Sequence, residues 1–495
     1  MLGYLQKIQS WLANSFVILD KLFSSKLFRR LIIGLFVLQA SYFAVTIKFG
    51  IPPDEGWHIG IIEYYKHHSL DPFITDQTSG FVLGDITRFS GYLYHYLMSL
   101  VARPLGFMGD YAYFVLRLIN VVIAAASVYV LGKVGDEIKL PTKLTNFGLF
   151  ILTNSMMFIF MAGAITYDNI QVFVASLCFL YLVRLLGKVN YLNTLSLVLW
   201  LLVGLMIKKS FFPLAFLIGF AALVCVSMYI AKTKPNLKQM LAKEFAQSKK
   251  MFIVLGILTL IFSGLFVERH VVNYAIYRSV DVICDRVHSK KNCTEYPIYK
   301  RNTALANEAE KTTTKIRKTV FAKAWLIEMR NSIYRVSAHK VMFLSSYFTA
   351  AVIIFYIGCG LAYIRAFDFV KKESKLIIIT SVAVAYGLVL MWVNYNTYNK
   401  YGVFGLALQG RYVFPVLGIL LISSGYYLHK AIPEKLKLMW APIALVTYMV
   451  FMLFGGALYF SAKANFGGID GWGQFLQPTY RMYFDTRILE IKHGE

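Results

Sequence analysis

The sequence predicts an all-α protein that crosses a membrane about eleven times. Three observations predict it. Of the 495 residues, 58% are hydrophobic and only 16% charged, too little polar surface for a soluble chain of this length. The apolar residues gather in runs long enough to cross about 30 Å of hydrocarbon, and the mean hydropathy is +0.57. Lys and Arg cluster between alternate runs, as they do in cytoplasmic loops. The 51 Lys and Arg exceed the 26 Asp and Glu, giving a net charge of +25. With no nucleic-acid recognition module in sight, that excess reads as loops lying against anionic membrane lipid, and no nucleic-acid partner is expected.

Residues 1–30 place Leu2, Leu5, Ile8, Leu12, Phe16 and Leu19 at helical spacing, with Lys7, Lys21 and Lys26 between them. This predicts an amphipathic cytoplasmic segment on the membrane surface and no cleavable signal peptide. The expected spans are 31–48, 112–132, 145–165, 169–187, 191–208, 212–231, 251–268, 341–364, 375–394, 412–429 and 439–461. The apolar stretch 91–108 is aromatic and broken by Arg103 and Pro104, so it reads as a juxtamembrane helix along the outer interface. The basic loops then share one side: Lys26, Arg29 and Arg30; Lys133, Lys139 and Lys143; Arg184 and Lys188; Lys232 to Lys250; Lys371 to Lys375; Lys430 to Lys437. That makes a multi-pass protein of the cell (plasma or inner) membrane, with a cytoplasmic N-terminus.

Four polar segments share the outer face: 49–111, 269–340, 395–411 and the tail 462–495, joined by a short link at 166–168. No repeat or linker divides the chain, which reads as a single membrane domain. Cys178, Cys225 and Cys359 lie in apolar runs and read as packing residues. Cys284 and Cys293 lie in the polar segment 269–340, where they are either a disulfide or a reduced pair. That segment is basic and reads as a cover for the site or a binder of an acidic acceptor such as a cell-envelope polymer, or else as a solvated cap.

The chemistry gathers on this face. Pro52 and Pro53 stop the first span in PPDEGWH. Asp54 either caps a short helix or, four residues from His58 on one helical face, joins it in moving a proton or holding a divalent cation. Asp168, in MAGAITYDN, sits at the outer boundary between two apolar runs. It is either a helix cap or a second functional acid, and ionisable groups at that depth are costly. Arg411, in LALQGRYVFP, is an outer-face cation that suits a phosphate, or else snorkels to lipid headgroups. Lys208 and Lys209 pose the same choice. Tyr92, Tyr94, His95 and Tyr96 line the interfacial helix, for stacking on sugars or anchoring in headgroups.

On PDEGWH (53–58), AGAITYDN (162–169), IKKSFFPL (207–214) and QGRYVFP (409–415) the chain resembles the C-type (GT-C) membrane glycosyltransferases. Within them it looks most like a prokaryotic family of predicted membrane proteins of largely unassigned function. The resemblance implies a GT-C-like fold, a polyprenyl-phosphate sugar as donor, and an envelope glycan, polymer, lipid or protein as acceptor. It implies Asp54 as general base, Glu55 as its companion and Asp168 as a second catalytic acid. It also implies a possible divalent cation (Mg, Mn or Ca) on Asp54, His58 and Asp168. Arg411, Lys208 or Lys209 are implied near the donor phosphate; His58, Tyr92 and Tyr412 are expected beside the substrate. The chain carries SGYLYHYL at 90–97 where many members have Pro-Pro-Leu, so acceptor specificity does not transfer. The rival readings are a transporter or flippase of lipid-linked sugars, a non-catalytic envelope-assembly protein, and a polymerase or ligase using lipid-linked glycans.

Overall fold

The computed structural model describes residues 2–67, 86–311, 316–334, 353, 356–365, 374–406 and 408–454. In chain order its helices are α1 (Leu2–Phe23), α2 (Lys26–Thr46), α3 (Glu55–His67), α4 (Leu93–Ala102), α5 (Ala112–Ile138), α6 (Thr142–Thr153), α7 (Met156–Ala162), α8 (Tyr167–Gly187) and α9 (Tyr191–Ile207). They continue with α10 (Phe212–Thr233), α11 (Leu237–Phe266), α12 (Val272–Tyr277), α13 (Lys290–Cys293), α14 (Pro297–Lys311), α15 (Lys318–Tyr334), α16 (Ser374–Tyr401), α17 (Phe414–Ala431) and α18 (Trp440–Phe454). Residues 356–365 are helical as well. No strand forms among the described residues.

Seven helical stretches are long and apolar enough to cross a membrane: Lys26–Thr46, Gly106–Ile138, Tyr167–Gly187, Lys209–Thr233, Leu237–Tyr277, Ser374–Tyr401 and Gly410–Ala431. Each overlaps an expected span. The expected count of eleven is not reached among the described residues, for separate reasons. The span at 145–165 is a bent pair, α6 and α7, turned by 71°. Here Thr153 Oγ1, Asn154 Nδ2 and Ser155 Oγ donate to the carbonyls of Leu149, Phe150 and Ile151 at 2.9, 2.8 and 2.9 Å. Three successive side chains compete with the backbone for i−4 carbonyls, which breaks the helix and keeps the freed oxygens bonded. At 191–208 the helix has 17 residues, about 25 Å at 1.5 Å per residue. At 439–461 a 15-residue helix is described, and 455–461 lie outside the described residues, as do most of 341–364 and all of the tail 462–495.

Two expected loops are helical instead. The basic stretch ahead of 251 belongs to α11, which bends at Ser248 (φ −141°, ψ 37°), next to Lys249 and Lys250. In the segment 269–340, α15 buries Phe321, Trp325, Met329, Ile333 and Tyr334 and is part of the packed body rather than a cap. The bundle centres on α5, which lies between α2 and α8; α9 follows α8, and α6 packs on α17. α11 packs on the outside of α9 and has no buried residue.

The segment expected along the outer interface holds α3 and α4, which pack on each other. α4 has 10 residues, about 15 Å, half of a bilayer core. At the other end of α2, Arg29 meets Asp136 Oδ2 at 2.8 Å and Asp136 Oδ1 at 3.0 Å, and donates to Asn146 Oδ1 at 3.1 Å. Expected as a loop cation marking topology, it is instead a buried tie between α2, α5 and α6.

Candidate functional site

Four turns meet at the end of the bundle opposite Arg29. The first is the Pro-Pro turn. Pro52 and Pro53 are buried, Glu55 N–H donates to Pro52 O at 3.2 Å, and α3 begins when His58 N–H reaches Asp54 O at 2.9 Å. Asp54 sits at φ 61°, in the left-handed region, which costs a non-glycine residue about 1 kcal/mol and which Asp tolerates better than most. The carboxylate of Asp54, 44% exposed, meets Arg411 Nη2.

Its neighbour Glu55 is fully buried and belongs to a different network. Arg117 grips it bidentately, Nε to Oε1 at 2.8 Å and Nη2 to Oε2 at 2.6 Å. The backbone N–H groups of Gly50 and Ile165 complete the carboxylate, each at 3.0 Å. Arg117 donates to Ala44 O and Ile47 O and lies 3.9 Å from the Phe49 ring centroid. Glu55, expected among the catalytic acids, fastens the loop after α2 to the turn before α8. The signal available in the sequence was Arg117 itself, a lone arginine in an apolar run.

The second turn carries Asp168. Thr166, not Asp168, is the N-cap of α8: its Oγ1 accepts from Asp168 N–H at 3.3 Å. Asp168 stands in the first turn, where the helix dipole favours a carboxylate, and is 3% exposed. Lys208 donates to Asp168 Oδ1, and Arg411 Nη1 lies 3.4 Å from Asp168 Oδ2. Arg411 thus bridges Asp54 and Asp168, acids 114 positions apart in the chain (168 − 54).

The third turn is the lysine pair. Lys208 turns inward, with Nζ 4.3 Å from the Tyr167 ring centroid and 4.8 Å from that of Tyr412. Lys209 turns away to Asp281 at 2.7 Å and is exposed, so one lysine of the two joins the acids. In the fourth turn Gly410 N–H donates to Ser332 Oγ at 2.7 Å. A Cβ on Gly410 would lie 2.6 Å from Ile333 N and 2.8 Å from the Ser332 carbonyl carbon, so only glycine lets α15 approach beside Arg411. Tyr386 OH donates to Tyr412 O at 3.0 Å and to Ser210 O at 3.4 Å, tying the third turn to the fourth.

His58 lies behind the acids, fully buried. Its Nδ1 faces His95 Nε2 at 2.8 Å and its Nε2 faces Thr166 Oγ1 at 3.4 Å. Thr166 Oγ1 lies 3.4 Å from Asp168 Oδ2. Burial, then neighbouring His95, Arg411 and Lys208, hold the His58 imidazole well below its ordinary value. Burial takes His95 down to about 3. The partnership with His95 was not foreseen: nothing in the sequence says that α3 and α4 lie side by side. Tyr92 has the Arg269 guanidinium 5.1 Å from its ring centroid.

The divalent-cation set expected on Asp54, His58 and Asp168 does not form as a donor set. Both aspartates meet cationic side chains, and His58 presents its nitrogens to His95 and Thr166. No group of three or more His, Cys, Asp and Glu among the described residues is arranged to hold a metal.

A polar loop stands over this end. Cys284 and Cys293 form a disulfide, which resolves the alternative left by the sequence. Asp281 meets Lys209, and Thr87 Oγ1 lies 3.4 Å from His288 Nε2. Burial and then the Asp54 carboxylate push the Tyr296 phenol up to about 12, so this loop reaches the neighbourhood of Asp54. No protein-family model matches the chain, and no curated protein matches it.

Proposed function

We propose that the chain is a membrane glycosyltransferase that moves a sugar from a polyprenyl-phosphate carrier to an acceptor hydroxyl on the non-cytoplasmic face, inverting the anomeric centre. The observation that carries this reading is the convergence of Asp54, Asp168, Arg411 and Lys208 from four separate turns at one end of an apolar bundle. The GT-C resemblance and the distribution of Lys and Arg supply the carrier and the face.

The roles follow from exposure and charge. Asp54 is the acid of the group open to solvent, and it pairs with Arg411. The acceptor hydroxyl gives its proton to Asp54 while its oxygen bonds to the anomeric carbon. The bond from that carbon to the phosphate oxygen breaks, and the electron pair leaves with the lipid phosphate. Arg411 and Lys208 stabilise the departing charge, so no strong general acid is needed. Asp168 holds the two cations in place. Glu55, with Arg117, fixes the loop that carries Asp54.

The test is incubation of the purified protein with a panel of polyprenyl-phosphate sugars, scored for release of the bare lipid phosphate. Asp54→Asn is expected to slow release by about 10²–10⁴-fold while the protein still inserts and folds. Full release by that variant removes the mechanism. Movement of the lipid across the bilayer without release would favour the flippase reading, and cellular function undisturbed by changing Asp54, Asp168 or Arg411 would favour a scaffold.

A further inference from the structure

We propose that Lys208 is a built-in cation, occupying at Asp168 the place a divalent metal ion would take, so that the site gathers positive charge without a metal. The oxygens of Asp168 are divided between two fixed cations: Lys208 Nζ on Oδ1 and Arg411 Nη1 3.4 Å from Oδ2. Asp54, the next carboxylate, meets Arg411 as well. Two carboxylates face one ammonium and one guanidinium, equal numbers of formal charges of each sign. A divalent ion arriving at Asp168 would lie within a few ångströms of two positive charges already there, and repulsion grows as charges come together.

The surroundings of Lys208 suit an ammonium. Its side chain is 7% exposed, and Nζ lies between the Tyr167 and Tyr412 rings at 4.3 and 4.8 Å from their centroids. Aromatic faces favour a monovalent ammonium that has shed its water. The backbone fixes the choice of lysine: Lys208 is extended (φ −157°, ψ 135°) at the end of α9 and points inward, whereas Lys209 pairs with exposed Asp281. Asp168 is then a positioning residue, acting through the cations it holds. This rests on the proposed transferase only for what the cation serves; cation occupancy is measured with neither donor nor acceptor present.

The experiment is Mn²⁺ titration, followed by electron paramagnetic resonance, of the detergent-purified full chain stripped with a chelator. The wild type is expected to leave Mn²⁺ free in solution. Lys208→Met, which removes one of the two positive charges at Asp168, is expected to bind Mn²⁺ at least about tenfold more tightly than the wild type. Lys208→Gln, which keeps a donor for Asp168 and so protects the fold, is expected to do the same. Adding Asp168→Asn to either variant should abolish the uptake. Stoichiometric uptake by the wild type that Asp168→Asn removes would overturn the proposal. So would a folded Lys208→Gln protein that binds Mn²⁺ no better than the wild type.

Discussion

Asp54 and Glu55 are chain neighbours of the same chemical class, yet burial divides their work. Asp54 is 44% exposed and meets Arg411, whereas Glu55 is wholly enclosed with both oxygens bonded. Removing one partner of a buried pair leaves an uncompensated charge, at about 3–5 kcal/mol. Arg117→Ala is therefore expected to lower the thermal midpoint of the detergent-purified protein strongly, and Asp54→Asn to leave it nearly unchanged. Equal shifts in the two variants would contradict this division. The His58–His95 pair sets a pH dependence. Both imidazoles are neutral in the fold, their affinity for protons lowered by burial, while in the unfolded chain they take protons near the ordinary value of 6.5. The unfolded state then binds more protons, so stability falls as the pH drops below about 6.5 and continues to fall toward the His95 value of about 3. Melting curves from pH 7 to 4 check this, and His95→Phe is expected to flatten the decline.

At the scale of elements, the site depends on how closely two segments pass. α15 runs beside the turn at 410–413, and Gly410 is the residue that permits it. Gly410→Ala is expected to push that turn away from α15, carrying Arg411 off Asp54 and Asp168. Donor turnover should drop by more than about tenfold, because a misplacement of 1 Å can cost about 10²-fold. Gly34→Ala, where a Cβ meets nothing within 4 Å, is the matched control and should stay active. Much at this scale was legible. Hydropathy marked eleven stretches, and seven of them are helices long and apolar enough to cross a membrane, because hydrophobicity is written residue by residue. The break at 153–155 was missed because its cause is a cooperative one, three small polar side chains in a row turning back on the helix. α15 was missed because its apolar residues face the body of this chain rather than lipid, and no run of span length announces it.

For the whole molecule, the topology inferred from Lys and Arg is a statement about which end faces water on which side. It is testable without any substrate. In a background with Cys178, Cys225 and Cys359 replaced by Ala, Asp281→Cys is expected to react with a membrane-impermeant maleimide in intact cells. Lys249→Cys should react only after permeabilisation. Labelling of both from outside, or of Lys249→Cys alone, would invert or break the proposed orientation, and with it the face on which Asp54 works. The Lys209–Asp281 pair is exposed and α11 around Lys249 has no buried residue, so accessibility at either position reports the side and not the packing.

The sequence by itself determined that this is an all-helical chain with long apolar helices, and which acids and cations lie at their ends. Those properties are local, since helix length, hydropathy and the stop at Pro52 and Pro53 are read over neighbouring residues. Only the tertiary structure decided which charges meet: Arg411 with Asp54 and Asp168, Lys208 rather than Lys209 with Asp168, Arg117 with Glu55, and His95 with His58. A buried charge takes the partner that the packing of distant helices delivers to it, and that delivery depends on close approaches such as the one at Gly410, far along the chain from the acid it serves.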